Sequence, residues 1–256
     1  MSGGAPIAVL SMYDWPQVRG HTDRLWAAVR DNLTDLGVAA PQELSRPDDV
    51  MAAWRSPALV FGQTCGLPYV EHLRGQVTLV ATPDYDVPDC RPGWYRSAVI
   101  ARHDDSRDGL AAFRGARLAI NGKNSQSGWQ AMLQVLDDAD CRRPFFGELV
   151  VSGAHANSVK MVADGAVDVA AIDYVSWRLA RAHLAEAQAL RIVTLTRPMP
   201  GLPFITQAAQ HRDAIVAATA AAIDDLPAET RDALGIRGLW RSDAGDYEIV
   251  AEERRD

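Results

Sequence analysis

The chain has 256 residues, 48% of them hydrophobic and 23% charged, with a formal net charge of −7. That size and composition suit a globular protein, either one large domain or two lobes of about 100 residues each. The negative balance, with no run of Lys or Arg, excludes a nucleic-acid surface, and no apolar run approaches the roughly 18 residues of a membrane span. Any anion bound here must be held by local donors and not by the overall field. The stretch Met1-Ser2-Gly3-Gly4-Ala5-Pro6 has neither the basic region nor the apolar core of a signal sequence. It fits a chain freed of its leader, or one that stays in the cytoplasm. Cys65, Cys90 and Cys141 lie too far apart for a metal pattern or a disulfide framework, and no metal or other cofactor is expected. Cys65, in the turn Gln63-Thr64-Cys65-Gly66, is placed to line a pocket, but a buried, inert thiol is the simpler expectation.

In chain order, Ile7 to Leu10 is a continuous apolar run, as expected of a strand buried on both faces. A loop with Tyr13 and Trp15 leads to a helix marked by Leu25, Val29, Leu33 and Leu36, stopped at Gly37. Val50, Met51 and Trp54 predict another helix, Ala58 to Phe61 a strand, Tyr69 to His72 a short helix, and Val77 to Val80 a third strand. Thr82 to Gly93 is broken by Pro83, Pro88 and Pro92 and reads as irregular. Strands then follow at Tyr95 to Ala101, Arg117 to Ile120, Glu148 to Val151, Val167 to Ile172 and Arg191 to Thr196. Helices separate most of them, including Asn157 to Asp164 and one carrying Trp177. This alternation predicts a parallel or mixed α/β sheet. Pro198 to Pro203 is a rigid link, followed by helices at 212–226 and 227–234 and a polar tail, ending Glu252 to Asp256, expected to be frayed.

Two stretches carry chemistry. Asn121-Gly122-Lys123-Asn124-Ser125-Gln126-Ser127-Gly128-Trp129 is a polar loop between a strand and a helix on which Trp129, Met132, Leu133 and Leu136 form one apolar face. Backbone N–H groups at such a helix start lack partners and sit at the positive end of the dipole, so the loop suits an anion. Ser125 and Ser127 add hydroxyl donors, although one of them can serve simply as the N-cap. Ser152-Gly153-Ala154-His155 repeats the arrangement, with His155 at a helix start where the dipole lowers its pKa and a bound dianion raises it. In a parallel α/β sheet, ligands bind beyond the carboxyl ends of strands. The loops with Tyr13 and Trp15, Gln63 to Cys65, Ser125 to Ser127 and Ser152 to His155 occupy such places, and Asp173 ends a fifth strand. No nucleophile and base stand at a useful spacing in the sequence, and no full phosphate-loop motif is present.

Ser125-Gln126-Ser127-Gly128, Ser152-Gly153-Ala154-His155 with Gly165 to Asp173, and Pro200-Gly201-Leu202-Pro203 resemble, in order and spacing, the phosphonate-binding proteins of ABC transporters. The resemblance spans most of the chain. It implies a two-lobed α/β fold, the type II periplasmic-binding (Venus-flytrap) fold, with a two-strand hinge and a ligand in the interlobe cleft. The lobes are expected at 1–98 plus 195–256, carrying both termini, and at 99–194. It implies a substrate-binding protein and not an enzyme, capturing phosphate, phosphite or a small phosphonate for a membrane permease, and a periplasmic location. Carried over, Ser125, Gln126, Ser127 and His155 hold the oxyanion with N–H groups of residues 126 to 128, and Tyr95 and Tyr13 join them. Asp173, Trp15 and Trp177 complete the expected site, the aromatic groups closing over the other end of the ligand. The sequence departs from aminoalkyl-phosphonate binders, with apolar Val175 and Leu202 near positions where acidic residues face an ammonium group. The alternatives are a cytoplasmic ligand sensor with the same pocket, and an enzyme on this fold resembling those that make the thiamine pyrimidine.

Overall fold

A computed structural model describes residues 4–253. In chain order the first elements are β1 (Ile7–Val9), α1 (Arg19–Asp35), α2 (Val50–Arg55), β2 (Leu59–Gln63), α3 (Gly66–Pro68), β3 (Thr78–Asp84) and β4 (Trp94–Tyr95). Next come β5 (Ser97–Arg102), β6 (Arg117–Ile120), α4 (Ala131–Asp138), β7 (Glu148–Val151), α5 (His155–Ala163), β8 (Val169–Asp173), α6 (Tyr174–His183) and β9 (Leu190–Leu195). The last are β10 (Met199–Pro200), β11 (Phe204–Thr206), α7 (Arg212–Asp225), α8 (Ala228–Leu234), β12 (Gly238–Trp240) and α9 (Glu248–Glu252). The chain forms two compact units, Met1–Trp94 with Pro200–Ala251 and Tyr95–Met199 with Glu252–Asp256. It passes between them within β4 and β10, two short strands that pair with each other, and again after Ala251.

The first unit holds a five-stranded sheet in the order β1-β2-β11-β3-β12. β1 and β2 are parallel, and β11 is antiparallel to both β2 and β3, so β1, β2 and β3 point the same way. Every residue of β2 is buried, which is why Leu59 to Phe61 run apolar without alternation. On α1, Leu25, Trp26, Val29 and Leu33 recur at helical spacing and form its buried face. Trp26 stacks on Phe61, with ring centroids 5.9 Å apart, and Phe61 meets Phe204 of β11 at 4.7 Å. Burying one such ring contributes roughly 1.5–3 kcal/mol, so β11 is fixed by this aromatic stack as well as by its ladder.

Several expectations change here. The proline-broken stretch begins as strand, because β3 continues to Asp84, with Pro83 opposite Leu239 of β12. The proline-rich link leads into β11, between β2 and β3, before any helix. The tail is packed and not frayed through residue 253. Ser242, Tyr247 and Val250 are buried, and the Tyr247 hydroxyl donates to the Gly201 carbonyl at 2.9 Å. Glu253 accepts from Gln134 Nε2 at 2.9 Å and from Arg197 Nη1 at 2.7 Å. Residues 254–256 of that tail lie outside the described residues.

The second unit holds a five-stranded sheet in the order β7-β6-β8-β5-β9. β6 is parallel to β7 and β8, whereas β5 is antiparallel to β8 and β9. Met132, Leu133 and Leu136 of α4 pack with Leu118, Ile120, Phe113 and Val169 in its core, while Trp129 lies partly buried at its margin. At the amino ends of the strands, Asp168 accepts from the Arg117 backbone N–H at 2.8 Å and from the guanidinium groups of Arg117 and Arg107. Those hydrogen bonds hold its carboxyl well below the usual carboxylate range.

Candidate functional site

The strand order places the candidate residues. β7, β6 and β8 are neighbours and parallel, so their carboxyl ends, at Val151, Ile120 and Asp173, lie along one edge of the second unit's sheet. Each leads into a helix whose N-terminus stands at that edge, the arrangement in which α/β proteins bind ligands. Ile120 and Val151 are register partners, and the Ser152 N–H donates to the Ile120 carbonyl at 2.8 Å. The two serine-containing loops therefore run side by side.

The helix after β6 opens with a π turn, Gln126–Gln130, that continues into α4. Ser125 is its N-cap, and its Oγ accepts the Gly128 N–H at 3.1 Å. Of the three N–H groups expected to face an anion, that of Gly128 is thus spent, and those of Gln126 and Ser127 remain at the helix start. Gly128 packs directly against its neighbour, because a Cβ there would lie 2.0 Å from Asn121 Oδ1 and displace that amide.

α5 begins at His155, two residues earlier than its apolar pattern predicts. This brings His155 Nε2 to 2.8 Å from Ser127 Oγ, across 28 residues of sequence, with Asn121 Nδ2 3.4 Å from the same nitrogen. The sequence showed no serine–histidine pair; the parallel pairing of β6 and β7 makes one. The residue is half-buried, but its Nδ1 is sealed from solvent without a partner among the described residues, and burial pushes the imidazole down to about 4. At neutral pH the ring is uncharged. If Nε2 carries the proton, it donates to Ser127 Oγ and leaves the hydroxyl hydrogen for an anion. The opposite tautomer spends that hydrogen on the ring. An anion accepting from the Ser127 hydroxyl would select the first. Asn121 Oδ1 is also buried without a partner, and the same amide turned over would offer Nε2–H an acceptor.

The remaining candidates of the second unit fall in three places. Asp173 is buried and caps α6, its Oδ1 accepting the Ser176 N–H at 3.0 Å. Tyr95 and Gln126, both buried, line one recess of the second unit together with Ser97 and Thr196. Trp177 belongs to the buried face of α6, with the Arg181 guanidinium 5.8 Å above its ring.

Tyr13 and Trp15 belong to the first unit. Tyr13 is buried edge-on against Tyr85, with ring centroids 5.0 Å apart, and Trp15 is half-buried, its backbone N–H donating to the Tyr13 carbonyl at 2.9 Å. Tyr13, Tyr85 and Gln63 line a recess with Leu10, Leu25 and Leu234, of which Trp15 is not part. Gln63 Nε2 donates to the Tyr85 hydroxyl at 3.0 Å and to the Leu202 carbonyl at 3.2 Å. Sequence reasoning missed Tyr85. Its only signal was its place just after a strand, hidden there by the surrounding prolines.

Two α/β units joined through paired strands, with helix N-termini gathered at a sheet edge, are the type II periplasmic-binding fold. The chain belongs to the family of phosphonate periplasmic substrate-binding proteins of ABC transporters, whose family model matches residues 20–247. The structure is similar to PhnD1 of Prochlorococcus marinus (MIT 9301) in complex with methylphosphonate, with TM-score 0.75, 17% identity and 96% of each chain covered. It is similar to a binding-protein component of an ABC phosphonate transporter from Pseudomonas aeruginosa, with TM-score 0.73, 16% identity and coverage of 97% of this chain and 85% of that one. A Xanthomonas citri protein bound to ATP follows, with TM-score 0.70, 18% identity and coverage of 98% and 96%. At these identities the likeness to solved structures shows the fold alone. Among curated proteins no match is found.

Proposed function

We propose that this protein captures a phosphorus oxyanion or small phosphonate and delivers it to a membrane permease of the ABC type, acting in the periplasm as its family does. The observation that carries this reading is the 2.8 Å approach of Ser127 Oγ and His155 Nε2 at an edge where three helices begin. Ser127, supported by His155, donates to one oxygen, and the N–H groups of Gln126 and Ser127 serve others. Ser125 steadies the turn as its cap, and Tyr95, beside Gln126, borders the same turn. The donors are uncharged, so the anion is held by aligned hydrogen bonds and helix ends rather than by a cation.

Binding without turnover fits the pair better than catalysis. A serine nucleophile with a histidine base needs a third group to orient the ring through Nδ1, and here Nδ1 is buried with no acceptor among the described residues. The test is calorimetric titration with phosphate, phosphite, methylphosphonate and sulfate, for the unaltered protein and for Ser127→Ala. A hydrogen bond to a charged group contributes about 1.5–3 kcal/mol, so the substitution should weaken binding roughly tenfold to a hundredfold. If no anion binds, or if Ser127→Ala leaves affinity unchanged, the reading fails.

A further inference from the structure

Asn121 is the first residue beyond β6, and its amide stands between the two helix starts of the second unit. Nδ2 lies 3.4 Å from His155 Nε2, and Oδ1 lies 2.0 Å from the point that a Cβ on Gly128 would occupy. An Asn after a strand is an ordinary turn residue, yet the donors and acceptors around this one do not balance. Asn121 Oδ1 is buried without a partner, and so is His155 Nδ1, among the described residues. Burial keeps the imidazole uncharged at neutral pH, so the ring has one proton for two nitrogens. With that proton on Nδ1, the N–H meets no acceptor and the amide oxygen stays unmatched, so two buried groups are left over. With the proton on Nε2 and the amide turned over, the amide oxygen accepts Nε2–H, and only the Nδ1 lone pair is left over. The turned NH2 group then takes the place of Oδ1. Ser125 Oγ lies 3.3 Å from the same point on Gly128 and has a second lone pair to offer.

We propose that Asn121 is a positioning residue of the anion site, its amide oxygen holding the proton of His155 on Nε2 so that Ser127 keeps its hydroxyl hydrogen for the ligand. The inference rests on the oxyanion reading above and adds what sets the direction of its central hydrogen bond. Nε2–H donates to Ser127 Oγ across 2.8 Å, which leaves the hydroxyl hydrogen for a ligand oxygen. The same contact disarms Ser127 as a nucleophile, because a ring already protonated at Nε2 cannot take the serine's proton. Two features of the chain permit the arrangement. The register of Ile120 with Val151 brings Asn121 beside the start of α5, and Gly128, without a side chain, leaves the amide its space.

The experiment reads the ring directly. Nitrogen-15 NMR of histidine-labelled protein at pH 7.5 distinguishes the two tautomers of a neutral imidazole, and His155→Gln shows which of the six histidine signals belongs to this ring. Free of ligand, the unaltered protein should carry the His155 proton on Nε2. Asn121→Leu fills a similar space but offers no acceptor, so the proton should move toward Nδ1. Methylphosphonate affinity by calorimetry should then fall roughly threefold to tenfold, the worth of one net hydrogen bond. Asn121→Asp keeps an acceptor, so Nε2 should stay protonated, while the added carboxylate repels methylphosphonate and lowers its affinity further. If Asn121 only fills space, Asn121→Leu leaves the tautomer as it was, and that result overturns the inference. An Nδ1 proton in the unaltered, ligand-free protein overturns it as well, and that spectrum decides even if neither variant folds. If the ring behaves as expected but neither phosphate nor methylphosphonate binds, the oxyanion reading falls and takes this inference with it.

Discussion

The burial of His155 makes a prediction about acid stability that can be worked through. Unfolded, its imidazole titrates at the ordinary 6.5; in the folded chain burial pushes it down to about 4. Above pH 6.5 the ring is neutral in both states and its contribution is fully present. As the pH falls from there, the unfolded chain takes up a proton that the folded chain refuses, so stability declines until the folded ring titrates as well. Over that window of about 2.5 units, at about 1.4 kcal/mol each, the loss amounts to at most about 3.5 kcal/mol. Asp168 acts in a separate window. Its carboxyl is depressed, so its contribution is lost only as the pH falls below the usual carboxylate range. Urea unfolding at pH 7.5 and at pH 4.5 therefore isolates the histidine. The unaltered protein should lose about 2–3 kcal/mol more between the two pH values than His155→Gln does. Equal losses in the two proteins would show that the ring is not held neutral by its surroundings.

Two further outcomes test the local geometry. Gly128→Ala places a methyl group where Asn121 Oδ1 now sits, 2.0 Å from the new Cβ, so the amide must swing away from His155. The gain in helix propensity, about 1 kcal/mol, offsets the displaced contact, so thermal stability should change little while anion affinity measured by calorimetry falls several-fold. An unchanged affinity would remove Asn121 from the site. Tyr247→Phe deletes a buried hydroxyl that donates to the Gly201 carbonyl at 2.9 Å and lies 2.7 Å from Thr82 Oγ1. Leaving that carbonyl unsatisfied should cost about 1–3 kcal/mol in a denaturant melt. A loss below about 0.5 kcal/mol, the range of ordinary surface changes, would mean the tail is not anchored there.

How much was legible in the sequence depended on the range of the interaction responsible. β2 and β6 could be read directly, because a strand buried on both faces needs an apolar run and both carry one, Leu59 to Phe61 and Leu118 to Ile120. The helix-start loops at Ser125 and Ser152 could be read too, since a polar Gly- and Ser-rich segment between a strand and an apolar helical face has few other uses. The order of those motifs was sufficient for the family, which the match over residues 20–247 bears out. What the sequence could not supply was made by pairing at a distance. β11 and β12 are three residues each, too short for any periodicity, and exist as strands only because β2 and β3 offer their edges. Tyr247 reads as part of a polar tail until Thr82 and Gly201, distant in sequence, accept and share its hydroxyl. Ser127 and His155 are each an ordinary polar residue at a helix start. Only the parallel register of Ile120 with Val151 sets them 2.8 Å apart, because sheet geometry, not sequence spacing, fixes which helix ends are neighbours.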